Sequence, residues 1–151
     1  MPEEHETTIR KPSWSMDVKI ISHISDMLDQ AGDLAIMLEQ GDGNAFPSLK
    51  AILQEVFLRF GGDLESEGSM LDPKAKSDLI NYFKELRKWE ESVFPKITDG
   101  KIPYADSERL KDILRMIRVL LYSELNRLFI RFITIYSEKE KMERYSMGRV
   151  A

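Results

Sequence analysis

The chain has 151 residues, a 42% share of apolar and a 32% share of charged side chains, a net charge of -4 and no cysteine. That length supports one domain with a real core, the composition lies far from the disordered regime, and the missing thiols exclude disulfides, thiolate metal sites and cysteine nucleophiles. The charge is unevenly placed: residues 1–75 carry 14 acidic against 6 basic side chains, and the remaining residues carry 12 against 16, so an acidic first half is followed by a basic second half.

Residues 1–13 are polar, contain Pro2 and Pro12 and show no apolar period, which predicts a flexible N-terminal tail before a single helical domain over 14–151. No apolar run of the kind a secretory signal needs occurs there, so an intracellular, cytoplasmic protein is expected. A first helix is predicted over about 15–40, with Ile21, Ile24, Leu28, Ala31, Ala35 and Leu38 on one stripe and Gly41 as the cap. The second, about 46–60, has Pro47 in its first turn and Gly61 and Gly62 after its end. Its wide apolar face of Leu49, Ile52, Leu53, Val56, Phe57 and Phe60 predicts the most enclosed helix of the set.

Asp72 followed by Pro73 marks the start of a third helix over about 73–94, whose seam reads Leu79, Tyr82, Leu86, Trp89 and Val93 and which Pro95 ends. Between Pro95 and Pro103, Asp99-Gly100 either makes a two-residue hairpin turn between very short strands or lies in an irregular loop. The last helix is predicted over about 106–145, capped by Asp106 or Ser107, because no glycine or proline occurs from Tyr104 to Met147. These elements predict an all-α fold, a four-helix up-and-down bundle with an overlong C-terminal helix.

The last helix carries the seam Leu110, Leu114, Ile117, Leu121, Leu125, Leu128, Phe132 and Ile135, flanked by Ile113, Leu120, Phe129 and Ile133. At 1.5 Å per residue it reaches about 60 Å, against about 38 Å for the first helix, so its end either projects or is covered by something else. Arg118, Glu124, Arg127 and Arg131 interrupt the apolar stretch and exclude a membrane span. Glu124, Arg127 and Arg131 lie on one side of the helix, and read either as an intrahelical ion pair or as a partly buried polar station that fixes register or an interface.

Candidate chemistry is sparse. Asp63 to Gly68 follows part of the D-x-[DN]-x-[DN]-G calcium-loop pattern, but Lys74 stands where the bidentate carboxylate belongs and Glu65 and Glu67 are a methylene too long, so a hydrated acidic loop is expected. His5 and His23 have no zinc spacing, and neither a phosphate loop, a dinucleotide fingerprint nor a nucleophile elbow is present. No catalytic residue, cofactor or metal is therefore expected. Asp26, Asp29 and Asp33 form an acidic row with no lysine or arginine between Lys19 and Lys50, a surface a basic partner could take. Lys139, Lys141, Arg144 and Arg149 could meet phosphates, although Glu138, Glu140 and Glu143 alternate with them.

The expected function is non-enzymatic: a protein that self-associates, or serves as a small subunit or regulator of a larger complex. Its contact candidates are Glu124, Arg127, Arg131, Phe132, Ile135, Asp26, Asp29 and Asp33. The alternative is contact with nucleic acid through the basic half, or occupation of a partner's basic nucleic-acid channel by the acidic half.

Overall fold

A computed structural model of the chain describes residues 14–64, 70–97 and 99–150. The expected N-terminal tail and most of the acidic loop after Asp63 lie outside the described residues. Four helices follow in order: α1 (Trp14–Glu39), α2 (Ala45–Arg59), α3 (Pro73–Val93) and α4 (Tyr104–Val150). No strand occurs among the described residues, and Asp99-Gly100 lies in an irregular connection. The architecture is the predicted all-α, up-and-down bundle with an overlong last helix. α1 packs against α2 and α4, and α3 packs against α4. Rings bridge the side between α2 and α3: Phe60 stacks on Phe83 at 4.2 Å, and Phe57 meets Phe83 edge-on at 6.2 Å.

The α1 stripe from Ile21 to Leu38 is wholly buried. Its end is a Schellman motif: Gly41 takes φ 93°, its N–H donates to Leu38 O at 3.0 Å, and the Asp42 N–H reaches back to Met37 O at 2.9 Å. Glycine suits this left-handed position because it carries no Cβ. At α3 the Asp72 carboxylate accepts the Lys74 and Ala75 N–H groups at 3.1 and 3.2 Å, the cap that Asp-Pro predicts.

Four local expectations are corrected. α2 is not the most enclosed helix: Ala45, Leu49, Leu53 and Val56 are buried, but Ile52 and Phe57 are half-buried and Leu58 is exposed. The cause is that only α1 packs along it as a helix, its other side meeting scattered rings. The two glycines after α2 do not stop it cleanly, since a π-helical turn runs over Phe60–Leu64 and keeps Phe60 buried against Phe83. In α3 the buried seam position between Leu79 and Leu86 is Phe83 and not Tyr82, which is half-buried. Finally, α4 begins two residues early, with the Ser107 N–H bonded to Pro103 O at 3.0 Å. Neither Asp106 nor Ser107 caps it, because the Asp106 carbonyl receives the Trp89 indole N–H at 2.9 Å and the Ser107 hydroxyl donates to Glu39 at 2.9 Å.

At this end of the bundle the α1–α2 and α3–α4 connections touch backbone to backbone. Gly100 has φ 77°, and a Cβ placed on it would lie 2.7 Å from the Cα of Gly43. A Cβ on Gly41 would meet nothing within 4 Å. Gly41→Ala should therefore lower stability by about 1 kcal/mol, the intrinsic left-handed penalty. Gly100→Ala adds a backbone collision and should lower it by at least about 2 kcal/mol, or roughly 4–8 °C in thermal midpoint. Thermal melts of the two variants followed by circular dichroism check this; equal losses would show that the two connections do not constrain each other.

Candidate functional site

The connection into α3 buries Leu71 and draws the backbone of Met70 and Asp72 against α1 and α4. Those polar groups need partners, and three side chains from distant parts of the chain supply them. Asp17 of α1, fully buried, accepts the Met70 N–H at 2.6 Å. Glu124 of α4, only 4% exposed, accepts the Asp72 N–H at 2.7 Å. Arg127 donates from Nε and Nη2 to the two Glu124 oxygens at 3.0 and 3.1 Å and also donates to the Met70 carbonyl. The hydrogen bond to Glu124 holds the Arg127 guanidinium above its ordinary range, helped by the charges of Glu124 and Asp72 and opposed by partial burial.

Glu124 and Arg127 form the i, i+3 ion pair, and its Glu124 side is buried. Arg131 is exposed and takes no place in this clasp. Asp17 was not singled out from the sequence. A carboxylate in the first turn of a helix ordinarily signals only a favourable dipole contact, and no local signal points to a partner 53 residues away.

The acidic row divides. Asp26 and Asp33 are exposed, whereas Asp29 is half-buried and forms an ion pair with Arg118 of α4. Compensation for the row comes across the helix interface rather than from neighbours in sequence. Nearer the loop end, Glu39 accepts from Ser107 and from Lys111 at 3.4 Å, and Lys111 lies 2.6 Å from Glu108. That hydrogen bond holds the Glu108 carboxyl below its ordinary range and raises Lys111.

Among the described side chains Leu128 is the last buried one of α4; from Phe129 to Glu143 every described side chain is exposed, including Ile135, Lys139 and Lys141. The side chains of Phe132, Arg144 and Arg149 lie outside the described ones. Facing away from the bundle, Met116, Val119, Tyr122, Phe129, Ile130 and Ile133 are between 40% and 65% exposed. The sequence indicates that the middle of α4 is apolar over much of its circumference, but not that this side stays exposed. Spacing shows that residues share a face, and is silent on whether anything lies over it.

Among the described residues no three of His, Asp and Glu come together in a group that could hold a metal ion, and no helix is long and apolar enough to cross a membrane. A shallow groove of about 640 Å³ at the loop end brings Lys96, Asp99, Lys101 and Tyr104 beside Glu39, whose carboxylate already accepts from Ser107 and Lys111.

Removing one side of the clasp leaves the other side's buried groups without partners. Glu124→Ala should lower stability by about 2–4 kcal/mol, and Glu124→Gln, which keeps an acceptor for the Asp72 N–H, by less. A double-mutant cycle with Arg127→Met, measured by urea unfolding, should give a coupling of about 1–3 kcal/mol; strict additivity would dissolve the clasp as a unit. For Glu108, whose folded pKa is depressed, the stabilising contribution is present above the ordinary glutamate range and fades as pH falls through the lowered value. Glu108→Gln should flatten the acid limb of the stability–pH curve, and an unchanged limb in acid titration would count against the Lys111 contact. No family model, curated protein or solved structure matches this chain.

Proposed function

We propose that this protein acts by macromolecular contact through the outer face and projecting end of α4, as a self-associating protein or a small subunit or regulator of a larger complex, and not by chemistry at a site of its own. The observation that carries the reading is the exposed apolar face from Met116 to Ile133. Six large side chains left between 40% and 65% exposed on one side of one helix amount to on the order of 500 Å² or more of contiguous apolar surface, the scale that marks contact sites on otherwise folded chains. Glu124 and Arg127 contribute indirectly, by fixing the helix that presents this face. The C-terminal cations support nucleic-acid contact less well, since exposed Glu138 and Glu143 stand among Lys139 and Lys141.

The test is a pair of charge substitutions on the face, Ile130→Asp with Ile133→Asp. Both positions are exposed, so helical content should stay near that of the unaltered chain. Affinity enrichment from the source cells should recover a defined set of proteins, or the chain itself, with the unaltered protein and lose it with the double variant. Identical enrichment with both would overturn the reading.

A further inference from the structure

We infer that the occupant of the outer face of α4 is a second copy of this chain, aligned parallel and in register to form a short two-stranded coiled coil about Asn126. The inference rests on the contact reading above and goes further by naming the partner and its orientation. Val119, Tyr122, Asn126, Phe129 and Ile133 are spaced 3, 4, 3 and 4 residues apart, and all five are exposed. This is a heptad seam, with Val119, Asn126 and Ile133 at the a positions and Tyr122 and Phe129 at the d positions. It lies opposite the seam of Leu114, Ile117, Leu121 and Leu128 that faces the bundle, so α4 can serve both at once.

Three features select a second copy. First, Asn126 stands in the middle of an otherwise apolar seam. A partner offering only apolar side chains there would bury its amide unsatisfied, whereas a parallel copy brings Asn126 against its own equivalent, where the two amides bond each other. A single asparagine at an a position, with β-branched residues at the neighbouring a positions, is the pattern that sets register and restricts assembly to two strands. Second, the positions flanking the seam are Arg118, Ser123, Leu125, Ile130, Phe132 and Ser137; in a parallel copy Arg118 faces Ser123, so no like charges meet until Lys139 and Glu140 end the seam.

Third, the exposed parts of Val119, Tyr122, Phe129, Ile130 and Ile133 come to about 500 Å² per copy. With Asn126, Ser123 and the flanking helix surface this approaches the roughly 800 Å² per partner of a stable assembly. As far as Leu128 the helix is already built by its own bundle, so pairing does not have to order that part of the seam.

The chain has no cysteine, so single cysteines report register cleanly. Sedimentation equilibrium should show a reversible monomer–dimer system for the full chain. Val119→Cys should form a covalent dimer with itself on mild oxidation, because a parallel register brings the two Cα atoms within the roughly 4.4–6.8 Å that a disulfide spans. Ile133→Glu should give a monomer of unchanged helicity, and Asn126→Ile should tighten association and relax the limit of two copies. A chain that stays monomeric at every concentration overturns the inference, while the contact reading is judged separately by the enrichment experiment. Cross-linking of Val119→Cys chains only to Ile133→Cys chains would mean an antiparallel pair and overturns it too. An Asn126→Ile variant with unaltered association would remove Asn126 from the role given to it.

Discussion

Two buried carboxylates and one guanidinium hold three backbone groups of Met70 and Asp72, and much of the bundle's geometry follows from that contact. Asp17, Glu124 and Arg127 belong to α1 and α4, and the Met70 and Asp72 backbone groups they hold lead directly into α3. Asp72 in turn caps α3. A single cluster therefore ties α1 and α4 to the start of α3. Apolar packing alone specifies this poorly, because leucine and isoleucine stripes slide past one another at modest cost, whereas a buried N–H must find its acceptor or lose about 1–3 kcal/mol. The other end has its own cross-links, from Glu39 to Ser107 and Lys111 and from Trp89 to the Asp106 carbonyl.

Wherever the determining physics is local, the sequence was legible. The α1 stripe, the glycine at its end, the Asp-Pro start of α3 and the unbroken run of α4 each depend on residues within a turn or two of one another, and each stands where its spacing places it. Legibility fails where a distant backbone decides. Asp17 looks like any acidic residue in a first turn until the loop carrying Met70 comes to lie beside it. Asp29 looks like one of three solvated carboxylates until Arg118 arrives from α4. The relative burial of Tyr82 and Phe83, adjacent in sequence, depends on where Phe60 sits, and that depends on a π-helical turn through two glycines that ordinarily end helices.

The candidate surface lies between these cases. The 3, 4 spacing on both sides of α4 can be read from the chain, but periodicity alone does not say which side the bundle takes. The decision rests on numbers of neighbours: α1 and α3 flank α4 from one direction, and α2 lies beyond α1. The face bearing Glu124 goes inward, because that is where a loop needs an acceptor, and the face centred on Asn126 is left outward.

The two cross-links on α4 also give the molecule a mechanical character. The helix is held near Ser107 and again near Arg127, about 30 Å further along, and extends for about another 24 Å to Glu143. It is a beam on two supports with an overhanging end. A sideways load on the free end reaches the Arg127 support almost doubled and the Ser107 support reversed in direction. Anything that grips the overhang therefore pulls first on the hydrogen bonds to Met70 and Asp72, and through them on the start of α3.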